Sequence, residues 1–131
     1  MKAKAIYITQ YDMERLRVLI EVYGGNTADI LEEKLDRARI VHSKDIPRDV
    51  VTMNSVVHIK YIDTGEENTI SLVLPGEKAK ANTVSVLAPT GIALLGYREK
   101  DIVEWRVPAG KRRMQIMKVV YQPEHRGHYN A

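Results

Sequence analysis

The chain has 131 residues, of which 44% are hydrophobic and 28% charged, a balance that is typical of a folded domain and excludes wholesale disorder. It has no cysteine, which excludes disulfide bonds, thiolate zinc sites and a thiol nucleophile. The formal net charge is only +3, so we expect weak or no direct binding to DNA. No signal peptide or membrane span is visible, and we expect a cytoplasmic protein without membrane contacts, with a monomer favoured.

The first structural unit is predicted to begin with a helix. Thr9 and Asp12 have the spacing of a capping box, with Thr9 at the N-cap and Asp12 reaching back to it. Gly24-Gly25 is expected to end this helix. Its apolar residues recur at helical spacing and form one stripe, made of Leu16, Leu19, Ile20 and Tyr23.

A second helix is expected after the glycines, capped by Asn26 or Thr27. Two helices of about a dozen residues, each roughly 20 Å long, would form a short antiparallel hairpin of the coiled-coil type. The apolar stripe of the second helix is predicted to contain Ile30, Leu31, Leu35 and Ala38.

The remainder of the chain reads as strands. Alternating or short apolar runs bounded by turn residues predict five strands, at 56–62, 69–74, 84–87, 102–107 and 114–121. Pro89–Leu95 is predicted as one short helix that ends at Gly96. The fold class is therefore α+β, a helical hairpin followed by an antiparallel sheet curled over a helix.

The charge distribution and Pro47 suggest where the units meet. Residues 1–49 contain as many basic as acidic side chains, whereas residues 50–131 carry the whole positive excess. Pro47 ends any helix that precedes it. We place a helical hairpin and connector at 1–46, a sheet domain at 47–124 and a flexible tail at 125–131.

Asp29 and Glu32 are the candidate metal-binding carboxylates, because they lie three residues apart on one face near the hairpin tip. Such a pair could hold Mg²⁺ together with a substrate phosphate. A solvated acidic face near a helix N-terminus explains them as well, and we favour that interpretation. His125 and His128 form only a weak metal-binding pattern in the predicted tail.

Lys111, Arg112 and Arg113 form the longest basic run of the chain, and we place them in a turn with their charges in solvent. They could contact phosphates or an acidic protein surface, or they could simply keep strand edges apart. No glycine pattern for nucleotide binding occurs, and we expect neither a cofactor nor catalytic residues.

Two segments of the second unit are Val84-Ser-Val-Leu-Ala-Pro-Thr-Gly-Ile-Ala-Leu-Leu-Gly96 and Asp101-Ile-Val-Glu-Trp-Arg-Val-Pro-Ala-Gly-Lys-Arg-Arg113. Both resemble the C-terminal domain of the Gre transcript-cleavage factors. Met117-Lys-Val-Val-Tyr-Gln-Pro-Glu124 is similar to the closing strand of that domain. The resemblance spans residues 50–124 and implies an FKBP-like fold.

The N-terminal half resembles the Rnk family, the regulators of nucleoside diphosphate kinase. Pro47-Arg-Asp-Val-Val-Thr-Met-Asn-Ser55 and Leu31-Glu-Glu-Lys-Leu-Asp-Arg-Ala38 carry this resemblance. Rnk proteins are similar to Gre factors with a shorter coiled coil. The resemblance implies binding to RNA polymerase near its secondary channel without stimulation of transcript cleavage.

The resemblance also implies which residues contact the polymerase. Pro89, Thr90 and Gly91 correspond to the Gre docking loop, in which Ala88 replaces a serine, and Lys111–Arg113 would add electrostatic steering. Gre cleavage uses an acidic pair at the hairpin tip, and Asp29 and Glu32 match its spacing but not its sequence context. Three functions therefore stay open: a non-cleaving regulator, which we favour, a true cleavage factor, and a prolyl isomerase suggested only by the FKBP-like fold.

Overall fold

A computed structural model of the chain describes residues 5–76 and 82–127. Seven strands, three α-helices and one 3-10 turn are found in this part. In chain order they are β1 (Tyr7–Thr9), α1 (Gln10–Tyr23), α2 (Gly25–Asp36), β2 (Arg39–Val41), β3 (Val56–Tyr61), β4 (Glu67–Val73), β5 (Thr83–Ser85), α3 (Pro89–Leu94), β6 (Ile102–Val107), β7 (Gly110–Tyr121) and the 3-10 turn Glu124–Arg126.

The start of α1 confirms half of the predicted capping box. The Thr9 side chain accepts a hydrogen bond from the backbone N–H of Asp12 at 3.0 Å, as an N-cap residue does. The Asp12 carboxylate does not serve as the other half of the box, because it accepts bonds from Met53 N–H at 3.1 Å and from Arg15 at 2.7 Å. Asp12 is buried, so its acceptor oxygens are used for a tertiary contact with Met53 in the segment before β3.

The turn between the helices is tighter than predicted. Gly24 ends α1, with a φ of +62° and its N–H bonded to Ile20 O at 3.0 Å. The next residue, Gly25, already begins α2, so the predicted caps Asn26 and Thr27 lie inside its first turn. The prediction of a side-chain cap was wrong, because Gly24 itself is the N-cap residue.

The stripe predicted for α2 was correct at Leu31 and Leu35, which are buried, but wrong at Ile30, which is 55% exposed. Lys34 takes the remaining inward position. The predicted stripe contained no charged residue, yet this charged side chain faces the interior. The apolar Ile30 is left facing outward near the hairpin tip.

A small parallel sheet at the base of the hairpin was not predicted. β1 pairs with β2 in the register Tyr7–Arg39, Ile8–Ile40 and Thr9–Val41. Both strands have only three residues and show no long alternating pattern, which explains why the sequence did not reveal them. This pairing brings the two ends of the helical hairpin together.

The main sheet has the strand order β5-β4-β3-β7-β6. All its pairs are antiparallel except β4–β5, which is parallel, so the prediction of a purely antiparallel sheet holds for three of the four pairs. One face packs on α3 and forms the core. The buried apolar side chains of that face include Val57, Ile59, Ile70, Leu72, Val103, Met114 and Ile116.

The short helix α3 lies where the sequence predicted it and ends one residue earlier, at Leu94. Gly96 follows with a φ of +85°, and its N–H donates to Val51 O at 2.9 Å. A side chain at this position would collide with Ile6, so glycine lets the segment before β1 pack against the end of α3.

Lys34 joins the hairpin to the sheet unit. Its ammonium donates hydrogen bonds to the carbonyl oxygens of Ile92 and Ala93, the latter at 3.2 Å, and lies 4.4 Å from the centre of the Tyr97 ring. The two carbonyls belong to the last turn of α3, where helical oxygens lack intrahelical donors. Lys34 therefore caps α3 from a neighbouring helix, with its positive charge at the negative end of the helix dipole.

Burial lowers the pKa of Lys34 well below its ordinary value, and the charge of Arg37 acts in the same direction. The two carbonyls and the Tyr97 ring oppose this shift, because they stabilise the ammonium form. The contact thus combines an unfavourable desolvation with the interactions that compensate for it.

Lys34→Met tests the contact between the hairpin and the end of α3, because methionine keeps the apolar stem of the side chain and removes the hydrogen-bond donor. We expect the free energy of unfolding to fall by about 2 kcal/mol, the typical value of hydrogen bonds to a charged group, as measured by urea denaturation. The exposed Lys118→Met is the control and should change stability by less than about 0.5 kcal/mol. Equal stability of Lys34→Met and the wild type would contradict the capping role.

Candidate functional site

A groove of about 400 Å³ lies between α2 and the surface formed by α3 and β6. Thr27 and Ile30 of the hairpin line one side, and Pro89 and Trp105 of the sheet unit line the other. Lys34 also lines it, so the groove lies beside the joint between the two units. Its lining is mainly apolar, with charged residues around it, a composition that suits a protein partner.

The predicted docking residues Pro89, Thr90 and Gly91 are adjacent, but they do not form an exposed loop as expected. They occupy the first turn of α3, with Pro89 exposed, Thr90 half-buried and Gly91 buried. The N-cap residue Ala88 makes no side-chain hydrogen bond to the helix. Only Pro89 is fully available to a partner at this end of the helix.

Gly91 has a packing role that explains its burial. A side chain at this position would collide with the backbone carbonyl oxygen of Ser85, at the end of β5. Glycine therefore allows α3 to approach the sheet closely. Gly91 is therefore buried by this packing rather than exposed beside Pro89.

Trp105 is a groove residue that the sequence did not assign to the site. It lies on β6, is half-buried, and pairs in register with Arg112 of β7. It lies two residues from Val103 on the strand and therefore shares a face with it. Its large aromatic side chain, the one tryptophan of the chain, was a usable signal, because tryptophan is enriched at partner interfaces.

The basic run was predicted to lie in a turn, but β7 already begins at Gly110, so all three residues belong to the strand. Successive strand residues face opposite sides of a sheet. Arg112 accordingly shares a face with Trp105 and lies 4.9 Å from the centre of the Tyr61 ring. Lys111 and Arg113 are on the opposite, outer face, where Lys111 is 3.5 Å from Glu104.

Asp29 and Glu32 are both exposed on α2, and neither makes an ion pair with another of the described residues. No group of three or more His, Asp or Glu side chains suited to a metal ion occurs within residues 5–76 and 82–127. His125 lies in the 3-10 turn, whereas His128 is outside the described residues. No helix in the part of the chain described is long and apolar enough to cross a membrane.

Two buried carboxyl groups meet below the hairpin. Glu124 accepts a hydrogen bond from the Thr52 hydroxyl at 2.7 Å, and Asp12 holds the neighbouring Met53 N–H. Burial raises the pKa of both carboxyl groups, and the nearby Asp12 charge adds to the rise for Glu124. Hydrogen bonds from Arg15 to Asp12 and from Thr52 to Glu124 act in the opposite direction.

The raised pKa of Asp12 has a consequence for stability against pH. The contribution of the protonated Asp12 carboxyl group to the free energy of unfolding is fully present below the unfolded-state pKa of about 4. It is lost as pH rises through the folded-state pKa, because burial disfavours the charged form. The stability difference between wild type and Asp12→Asn should therefore shift against the wild type as pH rises above 4. Urea denaturation at several pH values measures it, with the exposed Asp63→Asn as control. A difference that is constant or moves the other way contradicts the assignment.

Both units match the sequence models of known protein families. Residues 46–121 match the sequence model of the transcription elongation factor GreA/GreB C-terminal domain, and residues 4–41 match that of the Rnk N-terminus. The regulator of nucleoside diphosphate kinase of Escherichia coli (strain K12) is 40% identical over 134 residues, which covers 98% of both chains. This similarity extends across the hairpin and the sheet unit together.

Transcription elongation factors are similar to a smaller extent. GreA of Syntrophomonas wolfei is 37% identical over 90 residues, which covers 68% of this chain and 57% of that protein. Among solved structures, a prokaryotic transcription elongation factor GreA/GreB from Nitrosomonas europaea superposes with a TM-score of 0.76 and 39% identity. That superposition covers 91% of this chain and 100% of the other.

Proposed function

The chain belongs to the Rnk and GreA/GreB family, and from that membership we propose that it regulates transcription by binding RNA polymerase. The observation that carries the proposal is the groove in which Pro89 of α3, Trp105 of β6 and Ile30 of α2 meet. Pro89 corresponds in sequence to the docking proline of Gre factors. The groove thus places the expected contact residue beside an aromatic anchor and an exposed apolar side chain.

The chemistry of the groove suits a protein surface. Half-buried tryptophan and exposed apolar residues are typical binding anchors, while charged residues around them favour correct orientation. Glu33, Arg37 and Arg106 provide such charges here. Lys111 and Arg113, on the outer face of the sheet, would steer association rather than enter the groove. Arg112 would support Trp105 from the neighbouring strand.

We place the docked protein near the secondary channel of the polymerase, where it would compete with Gre factors without stimulating transcript cleavage. The helices of the hairpin have 14 and 12 residues, so each is about 20 Å long. Such a hairpin would occupy the channel entrance and stop short of the catalytic centre. Asp29 and Glu32, exposed near its tip, would remain outside the reach that a cleavage factor needs.

Several finer assignments follow from the same proposal. The protein acts as a cytoplasmic regulator, most simply as a monomer, and is not itself an enzyme. The sheet unit, proposed at 47–124, is FKBP-like in its curled sheet and single helix, but we assign it no isomerase activity. A prolyl isomerase needs an apolar pocket rich in aromatic side chains, and the chain has no phenylalanine and one tryptophan.

Pro89→Asp tests the docking surface, because it introduces a charge where an apolar contact is proposed. We expect its affinity for core RNA polymerase to fall by more than about 30-fold, as for loss of an interface hot spot. Pull-down with immobilised polymerase measures it, and circular dichroism should remain native. Pro108→Asp adds the same charge at an exposed proline outside the groove and should bind normally. Undiminished binding of Pro89→Asp would reject the docking assignment.

A second experiment separates the regulator from the cleavage factor. Backtracked transcription complexes incubated with saturating protein should show no RNA cleavage above background, while a Gre factor in parallel should cleave. Cleavage by the wild type that disappears in Asp29→Ala would instead establish the alternative, in which Asp29 and Glu32 hold Mg²⁺. Binding without cleavage is the result that the short hairpin leads us to expect.

A further inference from the structure

A second pocket, of about 390 Å³, lies at the end of β7 and shares no lining residue with the groove. We call it the C-terminal pocket. Its walls come from the segment 48–49 before β3, the loop after α3, the end of β7 and the 3-10 turn. The residues used below are Arg48, Asp49, Glu99, Lys118, Gln122 and Arg126. We propose that this pocket binds a small ligand carrying one or more phosphate groups.

The first observation is the number of cations that converge on the pocket. Arg48, Lys118 and Arg126 all line it, and each is exposed. None of the three side chains forms an ion pair with another residue of the described ranges. They come from the connector, the sheet and the 3-10 turn, so the fold brings together charges that are far apart in sequence. Converging cations without acidic partners are suited to bind an anion.

The second observation concerns the two carboxylates of the pocket, which are already occupied by other groups. Asp49 receives hydrogen bonds from Arg98 at 2.8 and 3.1 Å, and this bond raises the pKa of the Arg98 guanidinium. Glu99 accepts the backbone N–H of Val119 at 2.8 Å. Arg98 offsets the charge of Asp49, whereas Glu99 keeps its negative charge and is held by the backbone of β7. The three cations therefore outnumber the one carboxylate of the pocket that has no cation partner among the described residues.

The third observation is an unsatisfied acceptor. Gln122 is 3% exposed, and its amide nitrogen donates to Pro47 O and Val50 O, both at 2.8 Å. These two bonds fix the orientation of the amide. Its oxygen is buried and has no hydrogen-bond partner among the described residues. A buried acceptor of this kind is costly unless a donor reaches it, and the residue that carries it lines the pocket.

Together these features favour a ligand with anionic oxygens, held mainly by the three cations. The volume is within the range of small-molecule sites and is small for a macromolecule. Arginine binds phosphate oxygens with two parallel N–H groups, and both Arg48 and Arg126 are free to do so. A phosphate bound between them would connect the segment before β3 with the 3-10 turn.

Pyrophosphate is the probe for the test, added to the full-length chain at constant ionic strength maintained with sodium chloride. We expect binding by isothermal titration calorimetry and a rise in the thermal unfolding midpoint. The double variant Arg48→Gln/Arg126→Gln should weaken binding at least tenfold. Both residues are exposed and make no ion pair with another described residue, so the double variant should fold. Lys118→Gln alone should also weaken pyrophosphate binding.

The matched control is Arg39→Gln/Lys60→Gln, which removes the same charge outside the pocket and should bind pyrophosphate like the wild type. Equal affinity of the pocket and control variants, or no binding at all, would overturn the proposal. Titration with a short single-stranded RNA tests whether the phosphate groups belong to a nucleic-acid backbone rather than to a small ligand. Binding of that RNA without binding of pyrophosphate would also overturn it. None of these outcomes depends on polymerase binding, so failure here leaves the proposed function intact.

Discussion

The contact between Lys34 and the last turn of α3 determines how the two parts of this protein are arranged. The hairpin alone has only two short helices, and helices of this length depend on tertiary packing for stability. Lys34 supplies one polar part of that packing, because it satisfies the carbonyls of Ile92 and Ala93 from a buried position, and Asp12 supplies another through Met53 N–H. The groove with Pro89 and Trp105 lies directly beside this contact. A change in the Lys34 contact would therefore alter the proposed docking surface as well as stability.

The sheet unit was well predicted from sequence because its signals are local. Ile102–Val107 is a strand over the residues that its alternation indicated, and Pro89 marks the start of the short helix. The pair β1–β2 was missed because a three-residue strand leaves no periodic pattern. Both strands of the pair β4–β5 were predicted, but periodicity does not indicate that they run parallel. The helix start at Gly25 was missed because the glycine that ends α1 also serves as the cap of α2.

The site was predicted less well, because side-chain exposure depends on neighbours that are distant in sequence. The similarity to Gre factors suggested Pro89, Thr90 and Gly91 as contact residues, but it could not show that Gly91 is buried against Ser85. The run 111–113 read as one basic patch, whereas the strand period divides it between two faces. No sequence pattern indicated a role for Lys34, and only the packing of α2 on α3 reveals it as a buried cap. The charges of the C-terminal pocket likewise converge only in the folded chain.

The proposed function requires that this short hairpin protein occupy the polymerase site that Gre factors use. The direct measurement is equilibrium binding of the labelled chain to core RNA polymerase at physiological salt, with an unlabelled Gre factor as competitor. We expect saturable binding that the Gre factor displaces completely. Absence of binding, or binding that the Gre factor leaves unchanged, would contradict it and would mean that the family fold has been put to another use here.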